Sequence, residues 1–312
     1  CLTGYACGTA NGLPVCRSTT TNIPLFSHVF DILMETPSLP PLQAGIPGPQ
    51  APNLKSWQSQ YATGSDYHGV AHPSLPNYVG LTSGGTQGIG CDCSPEPGHG
   101  SCTVIVDYCL TCTCDTQAQN LADQIEAAQK TWMDFGESMG TPCNVKDSGN
   151  YAARHNPFLY YDDVRTNTTR CNSHVVDFSN FNPNSAADFN FIAPNLVSDM
   201  HNPDPPNSTN IPAGDTWLGV HVGAILSSSG YKDGGLLVIV WDEDDGSGGL
   251  GGNTDDPIGI WLMSPYAKSG GYVSTTKADH YSLLATFEDG LDLGRMGKAS
   301  QAQPLPDYFP AN

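Results

Sequence analysis

The stretch WDEDDGSGGLGGNTDDP, Trp241 to Pro257, sets four acidic residues in a row directly behind the apolar run LLVIV. Like charges crowded at one strand end repel unless something positive sits among them. Asp242, Glu243, Asp244 and Asp245 therefore call for a metal ion, a basic partner or plain solvation. Two other apolar runs also end in polar clusters: VFDILM in Glu35, and FNFIA in the segment carrying Asn195, Asp199 and His201. Carboxylates mixed with histidine suit zinc, manganese or iron, whereas an all-oxygen set suits magnesium or calcium. Ser74, in HPSLPNY, stands where a helix would begin, so its hydroxyl is either a cap or a nucleophile. Taken singly, each group has a bland reading: a solvated turn, a calcium loop, a helix cap or a loop-capping pair. Chemistry requires them together.

The elements that would position them follow from patterning. IPLFSHVFDILME reads as a strand ending at Glu35, and a Pro/Gly-rich loop follows it. HPSLPNYVGLTSGG reads as a turn and a short helix, with Ser74 at its N-cap, Pro76 in its first turn and Gly84 at its end. Leu121, Ile125, Ala128, Trp132 and Phe135 recur at helical spacing, which predicts one helix capped by Asp115. FNFIAPN reads as a short strand with a polar turn near Asn195. DTWLGVHVGAILSSSG predicts a helix capped by Asp215 and stopped by Gly230. LLVIV and IGIWLM have the continuous apolar character of strands covered on both faces. DHYSLLATFEDG is a final helix. Alternating strands and helices predict an α/β fold, a largely parallel central sheet flanked by helices. In such sheets the ligand crevice lies at the carboxyl ends of the strands, where the three polar clusters stand. Residues 1–22 read as a Cys-containing N-terminal arm, 23–312 as a single α/β domain, and 86–114 as a disulfide-rich insertion.

Composition narrows the classes. The chain has 312 residues and 31 acidic against 12 basic ones, for a net charge of −19. Nucleic acid and anionic membranes are bound through dense Lys and Arg, so nucleic acid is excluded as a partner. No apolar run reaches the roughly 20 residues of a transmembrane segment. The 11 cysteines, together with sequons at Asn167 and Asn207, point to a secreted, extracellular glycoprotein carrying N-glycans. The start at Cys1, without Met or apolar leader, reads as a mature form whose signal peptide has been removed. The cluster from Cys91 to Cys114 reads as a disulfide-stapled loop rather than a zinc knuckle, with its pairing left open.

Six blocks in one order, HPSLPNYVGLTSG, NYAARHNPFLYYDDV, DFNFIAPNLVSDMHN, GDTWL, LLVIVWDEDDG and DHYSLLATFEDGLDL, together resemble the phosphoesterase family, over roughly residues 24–295. The likeness is to its secreted acid phosphatase branch. The family also holds non-haemolytic phospholipases C and belongs to the alkaline-phosphatase superfamily. The resemblance implies an alkaline-phosphatase-like fold and one or more divalent metal ions. It implies Ser74 as nucleophile, with Glu35, Ser74, Asp242 and Glu243 as metal ligands. His155, His201 and His280 match catalytic polar positions, and His72, Asn77, Asn195 and Asp199 match positions around the phosphate. One departure stands out: the family's first strand usually ends in Glu-Asn, and here it ends in Glu35-Thr36, which supplies no amide.

The expected function is a secreted, metal-assisted acid phosphatase that hydrolyses phosphate monoesters through a phosphoserine intermediate. The substrate would be a phosphorylated small molecule or a lipid headgroup. Two alternatives remain open: a phospholipase C-like phosphodiesterase, and a non-catalytic extracellular structural or binding glycoprotein that keeps the fold.

Overall fold

In the computed structural model of the chain, the described residues are 3–35, 48, 50–95, 104–105, 108–109, 114–201, 210–244 and 256–310. Thr36, Asp245 and Asn207 lie outside them, as does most of the Pro/Gly-rich segment after Glu35. The arm is a hairpin: β1 (Tyr5–Ala10) pairs antiparallel with β2 (Leu13–Ser18). It is tied to the body by Tyr5 donating to the Asp289 carbonyl at 3.1 Å and by Asn11 donating to the Ala267 carbonyl at 2.8 Å.

The central sheet is built from β3 (Val29–Met34), β4 (Ala62–Gly64), β5 (Trp132–Gly136), β6 (Val175–Asp177), β7 (Phe189–Ala193), β8 (Leu236–Trp241), β9 (Ile260–Met263) and β10 (Val273–Ser274). Its order is β10-β4-β9-β8-β3-β7-β5-β6. Strands β8, β3, β7, β5 and β6 run parallel, and β9 runs antiparallel between β8 and β4. Every residue of β3, β7, β8 and β9 is buried, as strands covered on both faces must be. The largely parallel α/β sheet expected from the alternation of elements is present.

Helices cover the sheet in pairs: α1 (Pro52–Gln58) with α5 (Ile211–Ser227), and α2 (Leu75–Ser83) with α6 (His280–Gly290). The helix α2 is the one expected from HPSLPNYVGLTSGG. Gly84 ends it in the left-handed region at φ 70°, where a Cβ would lie 2.7 Å from the Met296 carbonyl oxygen. No described helix is long and apolar enough to cross a membrane.

Two expectations are corrected. The predicted helix from Asp115 to Phe135 is instead α3 (Leu121–Ala127), capped by Asn120, followed by strand β5. Gln129, at φ 59°, breaks the helical path, and Thr131 starts the strand by donating through its N–H to Asp188 at 2.7 Å. Asp215 does not cap its helix. It lies within α5, which begins at Ile211, and its carboxylate accepts the N–H groups of Asn53 and Leu54 at 3.0 Å each, so it serves the N-terminus of α1.

Disulfides join Cys93 to Cys114 and Cys143 to Cys171, and Cys7, Cys16 and Cys91 are disulfide-bonded as well. The expected stapling of the insertion holds for Cys91, Cys93 and Cys114. The side chains of Cys102, Cys109 and Cys112 lie outside the described residues.

One buried acid in α6 makes the fold pH-dependent. Glu288 is fully buried, and its Oε1 accepts the Met296 N–H at 2.8 Å. Burial pushes its carboxyl up to about 8, against the opposing pull of that N–H. The unfolded chain loses this proton near the ordinary 4.5. The native state therefore holds a proton the unfolded state lacks, and the stability tied to it is full below about 4.5 and lost as pH rises towards 8. Each unit of that window is worth at most about 1.4 kcal/mol. Glu288→Gln should flatten the fall in stability between acidic and neutral pH. Urea unfolding near pH 5 and pH 7.5 checks this, and an unchanged slope would refute it.

Candidate active site

Met34 pairs with Trp241 across β3 and β8, so the next residues, Glu35 and Asp242, leave the sheet at the same rim. The Asp242 N–H donates to the Met34 carbonyl at 3.0 Å, and the Glu35 N–H donates to the Asp199 carbonyl at 3.0 Å. Three strand ends thus meet, as the sequence predicted.

Ser74 faces them from the N-terminus of α2. Its side chain caps no N–H of that helix. Its Oγ lies 3.0 Å from Glu35 Oε2 and 3.1 Å from Glu243 Oε1. The cap is supplied elsewhere: Asp92, between Cys91 and Cys93, accepts the Leu75 N–H at 2.9 Å. The backbone reaches Ser74 through the cis peptide His72–Pro73. Asn77 braces this turn by accepting from Val70 and Ala71 and donating to the Ala71 and Pro73 carbonyls. Gly69 passes so close beneath it that a Cβ would lie 3.0 Å from the Asp242 carbonyl oxygen and 3.2 Å from Asn77.

Glu35 is the hub. Its Oε1 accepts the Tyr78 hydroxyl at 2.7 Å and lies 3.0 Å from His155 Nε2. The rings of Tyr78 and His155 stack with centroids 5.6 Å apart. Burial favours the neutral acid, but the His155 charge and hydrogen bond, with His201 and Tyr78, hold Glu35 well below the usual carboxylate range. Burial likewise acts to lower His155, and the Glu35 carboxylate outweighs it and raises the imidazole. Asp242 is raised well above its ordinary value by burial and by the neighbouring Glu35 and Glu243 charges. Burial also pushes Glu243 up to about 7, against the opposing pull of His72. His72 bridges the acidic run, with Nδ1 against Glu243 and Nε2 2.7 Å from Asp244.

Ser74 has one hydroxyl hydrogen, so it cannot donate to Glu35 and Glu243 at once. Three acids gathered around one hydroxyl need either a shared proton or a cation to be stable. Among the described residues no three His, Cys, Asp or Glu side chains stand in coordination geometry. The donor chemistry nevertheless fits a divalent cation: Glu35, Asp242, Glu243 and Ser74 offer oxygens alone, in a buried and mutually repulsive set.

The remaining expected residues divide. The Asp199 carboxylate is buried, raised by that burial, and accepts from the His201 N–H at 3.0 Å and Asn210 at 3.1 Å. His201 is half-buried, and its charge acts on Glu35. His280 is fully buried; its Nε2 donates to the Asp242 carbonyl at 2.6 Å, and its Nδ1 takes the Tyr67 hydroxyl at 3.0 Å. Burial lowers its affinity for a proton. Asn195 is spent on its own turn, accepting from Val197 and Ser198 and donating to Ser138 Oγ at 2.9 Å. Tyr78, on Glu35, and Asp92, on the first turn of α2, escaped the sequence reading. Tyr78 alone left a signal, standing four residues after Ser74 on the same helical face. A cavity of about 550 Å³ adjoins the site through Gly69, lined also by His68, Lys277, Asp279, Tyr281 and Lys298.

The largely parallel α/β sheet flanked by helices is a fold that recurs in solved structures. An alkaline phosphatase superfamily protein from Vibrio parahaemolyticus matches with TM-score 0.53 at 12% identity, over 99% of this chain and 74% of that one. A phosphonate monoester hydrolase from Agrobacterium radiobacter matches with TM-score 0.52 at 11% identity, over 89% and 78%. The chain belongs to the phosphoesterase family, whose model matches residues 46–294. It is 29% identical to a phosphatidylinositol-3-phosphatase of Mycobacterium tuberculosis, over 92% of this chain and 84% of that protein. It is 25% identical to an acid phosphatase of Aspergillus fumigatus over 79% of this chain, but spans only 52% of that protein.

The hydrogen bonds of His280 make a stability prediction. His280→Ala would leave the buried Asp242 carbonyl and Tyr67 hydroxyl without this partner, at about 1–3 kcal/mol for each unsatisfied group. His280→Gln places a donor near the Nε2 position and should recover part of the loss. Equal destabilisation of the two variants in urea unfolding would contradict this role.

Proposed function

We propose that the chain is a phosphatase that hydrolyses phosphate monoesters by way of a phosphoserine on Ser74. The observation that carries this reading is the aim of Ser74. At a helix N-terminus its hydroxyl forgoes capping and lies between Glu35 and Glu243. In the first step the Ser74 Oγ–P bond forms and the ester P–O bond breaks. The serine proton passes to a neighbouring carboxylate, and the alcohol leaves with a proton. In the second, water attacks phosphorus, the Oγ–P bond breaks, and Ser74–OH and inorganic phosphate are restored.

Glu35 and Glu243 are within hydrogen-bond distance to take the serine proton. His201, half-buried beside the cluster, is the proposed donor to the leaving alcohol. The enclosed His280 instead holds the Asp242 backbone in place. Glu35, Asp242, Glu243 and Ser74 Oγ would hold the divalent cation. When bound, it supplies the positive charge that eases ionisation of Ser74 and brings phosphate up against three carboxylates. Secretion is supported by the disulfides, by the fungal acid phosphatase relatives and by the sequon at Asn167, which is exposed. The mycobacterial relative's name makes a phosphoinositide headgroup, itself a phosphate monoester, a candidate substrate beside small monoesters.

Ser74→Ala should abolish release of 4-nitrophenol from 4-nitrophenyl phosphate, a loss of several powers of ten at about 1.4 kcal/mol per tenfold. Acid-quenched wild type should carry phosphate on the peptide containing Ser74. Dialysis against EDTA should remove turnover, and a divalent cation should restore it. Thr36→Asn, which restores the family residue, should raise activity or metal affinity. A wild type that hydrolyses neither mono- nor diesters with any of zinc, manganese, magnesium, calcium or iron would leave the non-catalytic glycoprotein reading in its place.

A further inference from the structure

The segments 68–70 and 277–282 are brought together by a short parallel pairing of Tyr67 with Ala278 and of His68 with Asp279. Between them and the 3-10 turn Gly297–Ser300, with the residues that follow it, lies the cavity of about 550 Å³. Gly69, which lines it, packs against the Asp242 backbone, but neither Ser74 nor any carboxylate of its cluster is in the lining. The cavity is therefore a neighbour of the Ser74 cluster and not part of it. Its size is that of a small-molecule site, typically roughly 300–1,000 Å³.

Two amines belong to its walls. Lys277 and Lys298 both line the cavity, and both are exposed to solvent. The Lys298 Nζ donates to the Tyr281 hydroxyl at 3.4 Å and sits 4.8 Å from the centroid of that ring, which holds the amine over the first turn of α6. The Lys298 backbone is fixed as well, its N–H donating to the Gly84 carbonyl at 2.7 Å. Among the described residues neither lysine forms an ion pair. Asp279, the one carboxylate in the lining, is already spent: its Oδ1 caps α6 by accepting the Ser282 N–H at 3.0 Å. His68 is turned to Asp66, with Nε2 2.6 Å from Oδ1.

In a chain of net charge −19, two amines without a carboxylate partner in one recess are a local reversal of sign, and what they attract is an anion. Gln301 and Gln303 add side-chain amides, whose donors and acceptors suit alcohol groups. The aliphatic lining is confined to Val70, Ala278 and Ala302, so little there would hold a large apolar body. We propose that this cavity is a second binding site, separate from Ser74, for a small polyhydroxylated dianion of the sugar-diacid type. The lysines take its two charges, and the glutamine amides take its hydroxyls. The proposal does not depend on the reading of Ser74 as a nucleophile. The competing account is that the lysines only keep an open recess hydrated, in which case the charge of a ligand would make no difference.

Calorimetry on the wild-type protein with sorbitol, gluconate and glucarate tests this. The three share one polyol skeleton and are neutral, singly and doubly negative, and none is an ester that a phosphatase could cleave. Glucarate should bind at least about tenfold more tightly than sorbitol, with gluconate between, because hydrogen bonds to charged groups are the stronger ones. Lys277→Gln and Lys298→Gln should each weaken glucarate binding about threefold and the double variant about tenfold, the range of solvent-accessible charge pairs. Added salt should act in the same direction, and sorbitol should respond to neither change. If Lys298→Gln proves less stable in urea, Lys298→Arg, which keeps the charge, should bind glucarate as the wild type does. Equal affinities for the three ligands, or no measurable binding of glucarate, would overturn the proposal. So would a double variant with unchanged glucarate affinity, the result expected if a cation at the Ser74 rim held the diacid. An equal loss in Lys55→Gln, an exposed lysine of α1 outside the cavity, would also overturn it, because surface charge alone would then account for the binding.

Discussion

Met34 opposite Trp241 fixes where the charges of the site go, because parallel pairing sets the direction in which both chains leave the sheet. The Asp242 N–H continues the ladder to Met34, and Glu35 is tied in the same way to Asp199. The acids therefore cannot separate to relieve their repulsion without breaking strand hydrogen bonds of a sheet buried on both faces. The repulsion has to be answered locally. The answers are Tyr78 and His155 on Glu35, and His72 bridging Glu243 and Asp244. The apolar strands thus build an electrostatic strain at the rim, which on the proposed reading a cation would relieve.

The same constraint explains the irregular backbone around Ser74. The hydroxyl must approach two carboxylates while its helix still needs an anion at its N-terminus. Ser74 gives up the cap, and Asp92 supplies it from the base of the Cys-rich insertion. The Cys93–Cys114 disulfide and the Tyr160 hydroxyl on the Cys93 carbonyl secure that base. The insertion is therefore coupled to the helix that presents Ser74, and is more than surface decoration.

How much of this was legible in the sequence depended on how local each cause was. Runs such as LLVIV and FNFIA announce buried strands by composition, and their polar ends announce the rim. HPSLPNYVGLTSGG declares its helix because Gly84 must adopt a left-handed conformation to stop it. The segment from Leu121 to Phe135 misled because its 4-3-4-3 spacing runs across a turn at Gln129 that periodicity cannot detect. Asp215 misled because the partner it caps, the N-terminus of α1, is about 160 residues away in sequence. The contact of Asp92 with the Leu75 N–H likewise joins separate elements. Only the fold brings Asp92 and Glu35 to the start of the same helix, and no spacing in the chain records it.

The distribution of positive charge adds a second constraint. A chain with 12 basic and 31 acidic residues repels anions over most of its surface, yet phosphoryl transfer needs an anion at its most acidic point. Long-range attraction cannot bring it there, so short-range contacts must. Among the described residues, the positive groups in contact with the cluster are already engaged: the N-terminus of α2 is partly spent on Asp92, and His155 and His72 are held by carboxylates. A site of this kind should bind phosphate weakly unless its cations are in place. Acidic conditions, which lessen the negative charge on both substrate and rim, should favour it. On the proposed reading, an acid bias would arise from the crowding of carboxylates that the sheet enforces.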